Sequence, residues 1–281
     1  MITTVDALRA RLDTIRSAAP GVRVAHITTL GSLHDGHIDL VHRAKELADV
    51  VAVTVFANPL RFRNAAELEA YPRTPDDDER LLESLGVDVV FGPDAAELLP
   101  RGADTTKVSA GDLGLRYEGS ARATYFDALL TIEAMLLNIV KPDVAVYGER
   151  DRQRVFLVRR MVRDLFLDVE IEAIPTVRED DGVPISTRLA LLDEADRAAA
   201  RKLTEALDAA AANADRGVDA CIAAAQSTLM GEPRVRLEYL SIVDPDTFLP
   251  ADENRTGPAL ALIAGTIGGH RFVDNTPVLL G

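Results

Sequence analysis

Apolar runs that read as buried on both faces constrain the fold of this chain most strongly. Two such runs, "VRVAHITTL" at 22–30 and "VVAVTVF" at 50–56, are separated by a segment with helical periodicity. Such runs are typical of parallel sheets, because crossover helices cover both faces of the strands. The pattern returns in "DVAVYG" at 143–148 and "VEIEAI" at 169–174. The sequence therefore predicts an α/β fold with a Rossmann-like parallel sheet, which binds its ligands at the carboxyl ends of its strands.

The sequence changes character after about residue 176. Two alanine-rich segments with helical periodicity come first, and alanine favours helix without carrying chemistry. Three strand-like segments, "VRLEYLSIV", "ALALIAGTI" and "HRFVDNTPV", follow them. We therefore predict two domains: residues 1–176 form the Rossmann-like domain, and residues 177–281 form a smaller α+β domain.

The composition excludes several classes of protein. A net charge of -14 over 281 residues disfavours a nucleic-acid partner, which requires a basic surface. No apolar run approaches the roughly 20 residues of a membrane span, and the first residues lack the basic and apolar regions of a signal peptide. The single cysteine, Cys221, excludes an intrachain disulfide and a cysteine metal cluster. We expect a cytoplasmic protein with no membrane partner, in which an anionic ligand meets a local positive site.

The motif "HDGH" is the strongest candidate for a functional site. His34 and His37 lie three residues apart where the first strand ends and a helix begins. Backbone N–H groups and the positive helix end favour an anion at such a junction, and Gly31 and Gly36 let a ligand approach the backbone. Histidines three apart in a first helical turn point the same way. They could therefore donate hydrogen bonds to a phosphate chain and stabilise the charge that develops on it.

Three other interpretations of the motif remain open from the residues alone. The two histidines could bind a metal ion together with Asp35 or Asp39, or they could be surface residues without a function. A Rossmann dinucleotide site is less favoured, because no G-x-G-x-x-G follows the strand.

Six segments together resemble one known family. "HDGH" is similar to the H-x-G-H signature of the nucleotidylyltransferase superfamily. The other five segments are "FANPLRF" (56–62), "YPRTPDDD" (71–78), "YGERDRQ" (147–153), "PTVREDDGVPISTR" (175–188) and "RFVDN" (271–275). All six look like segments of the pantothenate synthetase (pantoate–β-alanine ligase) family, in its order and spacing over nearly the whole chain. The resemblance implies an ATP-dependent, AMP-forming ligase that joins a carboxylic acid to an amine through an acyl-adenylate, with ATP and Mg²⁺.

The resemblance also implies the residues of the site. The catalytic residues would be His34, His37, Asn58 and Arg150, where Arg150 replaces a phosphate-binding lysine of the family. The ATP-binding residues would be Leu30, Gly36, His37, Gly148, Asp151, Ser186, Thr187 and Arg188. Asp76 and Asp77 would help to hold Mg²⁺ or the amine, or they would be helix N-terminal charges that suit the helix dipole. Residues 1–176 would then bind ATP and the acid, residues 177–281 would form a lid, and the chain would form a homodimer.

The acid-binding side departs from the family pattern. Arg61 and Arg154 replace two glutamines that bind the hydroxy acid, and Glu133 falls where an apolar residue is expected. Leu30 replaces a methionine of the same pocket, and Tyr125 replaces a histidine shortly before Asp127. Because a carboxylate pairs bidentately with arginine and an unpaired buried guanidinium is costly, we predict an acid other than pantoate, such as a dicarboxylate. Glu133 could meet a polar group of that acid or pair with one of the arginines.

Other functions compete with that prediction. The chain could be an authentic pantothenate synthetase that joins pantoate and β-alanine, an inactive nucleotide-binding homologue, or a nucleotidylyltransferase that stops at adenyl transfer. Loss of activity should erode both halves of a site, whereas here the residues matching the phosphate side are intact. These residues are His34, His37, Asn58, Asp151, Ser186 and Arg188.

Overall fold

Five parallel strands form the sheet that the apolar runs predict. They are β1 (Val24–Thr29), β2 (Val50–Val55), β3 (Val89–Phe91), β4 (Val144–Gly148) and β5 (Glu170–Ile174). Their order is β3-β2-β1-β4-β5, and every neighbouring pair is parallel. The chain thus adds β2 and β3 on one side of β1 and then returns to add β4 and β5 on the other side. The switch point of the sheet is the position between β1 and β4. Open α/β sheets bind their ligands at the carboxyl edge of such a switch point.

The computed structural model describes residues 1–62, 65–122 and 124–281. Two compact units result: unit 1 comprises residues 1–149 and 154–175, and unit 2 comprises residues 150–153 and 176–281. No helix in these described ranges is long and apolar enough to cross a bilayer.

Helices cover both faces of the sheet of unit 1. The helices between residues 1 and 175 are α1 (Val5–Ala18), α2 (Asp35–Leu47), α3 (Ala65–Glu69), α4 (Pro75–Ser84), α5 (Ala95–Leu98), α6 (Tyr125–Val140) and α7 (Arg152–Asp164). Alternate residues of β1 and β2 enter two separate cores: Val24 packs with side chains of α1 and α6, and Ala25 packs with side chains of α2. The central strands β1 and β2 are mostly apolar because both of their faces are buried.

Short 3-10 helices connect several of these elements. They span Pro59–Arg61, Gly102–Asp104, Gly111–Leu115, Tyr117–Gly119, Glu149–Asp151, Leu189–Leu191 and Ala214–Arg216.

Unit 2 is a small α+β unit, as the sequence predicts. Its antiparallel sheet has the order β6 (Arg236–Val243), β7 (Gly257–Ile267) and β8 (His270–Leu280). Helices α8 (Glu194–Ala212) and α9 (Val218–Leu229) share one apolar core with these strands. Fully buried Ala199, Ala206 and Ala210 contribute to that core, so the alanines serve close packing.

Candidate active site

The two histidines of the "HDGH" motif cap helix α2. His34 is the N-cap residue, and its Nδ1 accepts a hydrogen bond from the Gly36 N–H at 3.2 Å. The Nδ1 of His37 accepts from the His34 N–H at 3.2 Å, and the two ring centroids are 4.1 Å apart. Because each Nδ1 accepts a hydrogen bond, the neutral ring carries its proton on Nε2. Each histidine therefore carries its ring N–H at Nε2, and an N–H is the type of donor that a phosphate oxygen accepts.

This arrangement differs from the predicted anion site in one respect. The backbone N–H groups of His34 and Gly36 are bonded to the histidine rings, because the side chains form a reciprocal capping box. The rings therefore take the place of these two backbone groups as donors for an anion. Gly36 lets the ring approach the backbone closely, because a Cβ at this position would lie 3.0 Å from Cε1 of His34.

A buried carboxylate that the sequence analysis did not select fixes the loop before the histidines. Asp78, only 3% exposed, accepts hydrogen bonds from the backbone N–H groups of Ser32 (2.8 Å) and Leu33 (2.9 Å) and from the Thr74 hydroxyl (3.1 Å). Gly31 has φ +89°, and a Cβ there would lie 3.0 Å from Oδ2 of Asp78. The loop therefore depends on both the glycine and the carboxylate.

The two predicted magnesium ligands lie on the exposed face of the first turn of α4. Asp77 pairs with Arg80 at 2.5 Å, and Asp76 is exposed. Among the residues that the structure describes, no group of three or more His, Cys, Asp or Glu could hold a metal ion. Two exposed carboxylates suit an Mg²⁺ ion that is bound chiefly by triphosphate and water, which is usual for Mg²⁺ with nucleotides. A contribution of Asp76 and Asp77 stays a prediction, and the histidine metal site with Asp35 or Asp39 gains no support.

Asn58 is held in place by its own amide group. Its Oδ1 accepts from the Leu60 N–H at 3.0 Å, and its Nδ2 donates to the carbonyl oxygen of Ala128 at 3.1 Å. The side chain thus caps the 3-10 turn Pro59–Arg61 and ties it to α6. Its predicted contact with the reactants stays a prediction.

A polar cluster at the switch point contains two of the predicted acid-binding residues. Glu133 in α6 is 2% exposed and forms an ion pair with Nη2 of Arg154. The hydroxyl of Tyr147 donates to Oε2 of Glu133 at 3.0 Å, and the hydroxyl of Thr28 donates to the same oxygen at 3.3 Å. The guanidinium carbon of Arg154 lies 5.0 Å from the Tyr147 ring centroid. We call these four residues the Glu133 cluster.

The pKa values in the Glu133 cluster follow from burial and from this pairing. Burial by itself lowers the pKa of Arg154, but the Glu133 carboxylate and Tyr147 outweigh it, so the guanidinium pKa lies above its usual value. Burial, and then the charge of Glu133, raise the pKa of Tyr147 well above its usual value. At neutral pH the cluster thus holds a charged Arg154 and a neutral Tyr147 that donates its proton.

Arg61 lies beside the Glu133 cluster and contacts Tyr125. Its Nη2 donates to the Tyr125 hydroxyl at 2.7 Å, and its guanidinium carbon is 5.2 Å from the ring centroid. Arg122 stacks on the same ring at 4.4 Å, and Tyr125 is close enough to Arg154 to raise its pKa. No carboxylate pairs with Arg61 within the described part of the chain. Asp127, the other acidic candidate, accepts from the Ala110 N–H at 2.7 Å instead.

Two residues predicted to bind ATP, Ser186 and Arg188, and the predicted catalytic residue Arg150 line one cleft of unit 2. Arg271 and Thr204 line the same cleft. Arg150 donates to the carbonyl oxygen of Ile185 at 2.8 Å. The Nε of Arg271 donates to Glu238 at 2.6 Å. Even with this ion pair, three guanidinium groups in one cleft suit an anion such as a phosphate chain. Arg271 was not among the predicted site residues, although its position in the matched segment "RFVDN" was a usable signal.

An ion pair between a half-buried arginine and a buried aspartate supports the wall of this cleft. Arg178 donates from Nη1 and Nη2 to the two carboxylate oxygens of Asp274, at 2.8 Å each. Hydrogen bonding to Asp274 raises the pKa of Arg178 above its usual value. Asp274 also lines the cleft, so the pair fixes the strand that carries Arg271.

The remaining predicted residues lie in exposed or half-buried turns. Leu30 follows β1 directly, Gly148 is the last residue of β4, and Asp151 ends a 3-10 turn. A Cβ at Gly148 would meet no atom within 4 Å, so its own surroundings in this structure do not require glycine. The contacts of Leu30, Gly148, Asp151 and Thr187 with a nucleotide stay predictions.

The fold and the histidine loop define a class of protein. A Rossmann-like parallel sheet with H-x-G-H after its first strand is the domain of the nucleotidylyltransferase superfamily. The family model described as pantoate-beta-alanine ligase matches residues 1–277. The chain therefore belongs to the pantoate–β-alanine ligase family, and it is an ATP-dependent ligase that forms an amide bond through an acyl-adenylate.

Individual relatives agree with this assignment. The chain is 45% identical to pantothenate synthetase of Leifsonia xyli subsp. xyli, over 99% of this chain and all of the relative. The crystal structure of pantothenate synthetase from Thermus thermophilus superposes with a TM-score of 0.89 at 37% identity, covering 98% of each chain. The pantoate–β-alanine ligase of Francisella tularensis, complexed with beta-gamma ATP and beta-alanine, superposes with a TM-score of 0.79 at 28% identity, covering 98% of this chain and 97% of its own.

Proposed function

We propose that the protein joins pantoate to β-alanine, forming pantothenate, AMP and pyrophosphate. One structural observation carries the choice of acid: Glu133 pairs with Arg154 inside unit 1. The prediction of a different acid, such as a dicarboxylate, rested on two guanidinium groups, Arg61 and Arg154, that needed anionic partners from the substrate. The protein supplies the partner of Arg154 itself, so only Arg61 is left to meet a substrate carboxylate, and the single carboxylate of pantoate is sufficient for it. The close similarity to pantothenate synthetases favours pantoate as well.

The first chemical step would transfer adenylate. A carboxylate oxygen of pantoate attacks the α-phosphorus of ATP, and the bond from that phosphorus to pyrophosphate breaks. Negative charge develops on the phosphate oxygens as this occurs. The Nε2–H groups of His34 and His37 would donate to these oxygens, and preorganised donors of this kind commonly lower such barriers. Arg150, Ser186 and Arg188 would bind the triphosphate, and Mg²⁺ when bound would offset its charge.

The second step would form the amide. The amine of β-alanine attacks the carbonyl carbon of the pantoyl-adenylate, the C–N bond forms, and the bond from carbon to the AMP oxygen breaks. The amine loses a proton in the process. The mixed anhydride is prone to hydrolysis, so the site must hold both reactants close together and keep water away.

Two further properties belong to this proposal. We propose a homodimer formed through unit 1, supported by the family resemblance of that region. Residues 177–281 would act as a lid over the nucleotide, which also stays a prediction.

One assay tests the proposed function directly. Purified protein is incubated with ATP, Mg²⁺ and β-alanine, and with pantoate or one of several dicarboxylates, and both pyrophosphate and the amide are quantified. We expect pantothenate in equal amount to pyrophosphate. Pyrophosphate without amide would indicate a nucleotidylyltransferase, ATP binding without turnover would indicate an inactive homologue, and preference for a dicarboxylate would restore the alternative acid.

A further inference from the structure

We infer that Glu133 is a specificity-determining residue: by neutralising Arg154, it restricts the acid site of this ligase to substrates with a single carboxylate. The inference rests on the proposed function, because it assumes that an acid binds beside the Glu133 cluster. It assigns a role in substrate choice to a buried glutamate of helix α6.

The position of the cluster within the sheet supports this role independently of any relative. Thr28 is the penultimate residue of β1, and Tyr147 is the penultimate residue of β4. These two strands meet at the switch point of the sheet, and open α/β sheets bind small ligands at the carboxyl edge there. The Glu133 carboxylate bonds to the hydroxyls of both residues. The cluster therefore lies beneath the position where a small substrate is expected.

The charges divide in a way that suits one carboxylate. Glu133 and Arg154 cancel each other within the cluster, and the two hydroxyls that bond to Glu133 are neutral. Arg61 donates to the hydroxyl of Tyr125 instead and makes no ion pair among the described residues. Positive charge on the side of Arg61 is thus available for one substrate carboxylate. A second carboxylate directed toward Arg154 would meet a cation that is already neutralised.

A purely structural role for the pair makes a different prediction. If Glu133 and Arg154 only hold α6 and α7 together, removing the charge of Glu133 should impair every acid to the same degree. If the pair determines specificity, removing that charge should take away the Glu133 carboxylate that neutralises Arg154. The ratio between a dicarboxylate and pantoate should then change, because the new cation favours only the acid with a second anion.

The experiment compares kcat/KM for pantoate, malate and succinate, each with ATP, Mg²⁺ and β-alanine. Glu133→Gln keeps the hydrogen-bonding shape without the charge, and we expect the dicarboxylate-to-pantoate ratio to rise by about tenfold or more. Glu133→Val with Arg154→Gln removes both charges, and we expect the wild-type ratio. Glu172→Gln is the matched control, because it breaks a half-exposed ion pair with Arg43 in the same unit.

Each outcome has one meaning. Equal losses for all acids in Glu133→Gln, or an unchanged ratio, would overturn the inference and leave the pair a structural role. If Glu133→Gln does not fold, the double variant decides: a ratio raised tenfold there would also overturn the inference, because no unneutralised Arg154 remains. Wild type that forms no pantothenate would reject the proposed function instead, and that result is read from wild type alone.

Discussion

The carboxylate of Asp78 lies 2.8 Å from the backbone nitrogen of Ser32, and its other oxygen lies 2.9 Å from the nitrogen of Leu33. A residue of helix α4 thereby fixes the backbone immediately before the histidine motif. Ser32 has a positive φ of 56°, a conformation that non-glycine residues adopt at a cost unless their surroundings hold it. Asp78 supplies that restraint and so positions the first histidine.

Replacing Asp78 should therefore reduce catalysis more than folding. We expect Asp78→Asn to lower kcat/KM by roughly 10²-fold, the scale for a displacement of about 1 Å at reacting groups, and to cost about 1–3 kcal/mol of unfolding free energy. Steady-state kinetics and urea denaturation measure the two effects. Glu83→Gln, an exposed change on the same helix, serves as the control. Unaltered kinetics in Asp78→Asn would show that the loop holds its position without this carboxylate.

Each histidine of the motif would have two functions: it caps helix α2 through Nδ1, and it would donate to a phosphate through Nε2–H. One substitution can separate them. Asparagine places an acceptor near the position of Nδ1 and is a good N-cap residue, but it has no equivalent of Nε2–H. We expect His34→Asn to keep the stability of the wild type and to lose about 10²–10³-fold in pyrophosphate release, as when one preorganised donor is removed. His42→Asn, at an exposed position on the same helix, should leave both unchanged. Full activity in His34→Asn would show that this histidine serves only as a helix cap.

His26 should make stability depend on pH. Burial lowers its pKa from 6.5 to about 4, although Glu133 opposes the shift; the ring is 1% exposed and bonds to Thr54 at 2.8 Å. As pH falls below 6.5, the unfolded state takes up a proton that the folded state does not bind until about pH 4. The wild type should lose about 3 kcal/mol across this window, at about 1.4 kcal/mol per pKa unit.

The variant His26→Gln isolates this contribution. Its unfolding free energy, measured in urea at several values between pH 7 and pH 4, should fall less steeply than that of wild type. Parallel curves for the two proteins would exclude His26 as the source of acid sensitivity.

The cleft of unit 2 should bind the phosphates of ATP through its arginines. We expect Arg188→Ala to weaken ATP binding by about tenfold or more in calorimetry, because a hydrogen bond to a charged group contributes about 1.5–3 kcal/mol. Arg271→Ala should have a similar effect. Arg216→Ala, an exposed change in the same unit, should leave the affinity as it is. Identical affinity in all four proteins would place the nucleotide elsewhere.

The state of assembly is open to direct measurement. A homodimer should sediment at twice the 30.3 kDa of the chain at micromolar concentration. A single species of 30.3 kDa under the same conditions would contradict the proposed dimer.

The sequence was sufficient for the sheet and insufficient for the pairing of side chains. The strand at 50–56 could be predicted because both faces are apolar, and that property is local. Three consecutive aspartates begin α4, and only the helical phase, unknown from sequence, determines that Asp78 is buried while Asp76 is exposed. The sequence left two roles open for Glu133: contact with the acid, or pairing with an arginine. Its pairing with Arg154 depends on how α6 and α7 lie against β4, which the sequence does not give.

The histidine caps were not predictable from the usual preferences. Serine, threonine, aspartate and asparagine are the common N-cap residues, so "HDGH" did not indicate a capping box formed by His34 and His37. The motif predicted a site at this loop, and the structure adds which nitrogen of each ring accepts a hydrogen bond from the backbone.

The ion pair between Glu133 and Arg154 also limits which substitutions at these two positions can be accepted during evolution. Loss of either partner alone leaves a buried charge without its counterion, at a cost of about 3–5 kcal/mol, whereas a domain is stable by only about 5–15 kcal/mol. A lineage can therefore exchange the two residues together more readily than one at a time. Descendants of this gene should keep both or neither, so a glutamate at position 133 in a new relative predicts an arginine at position 154.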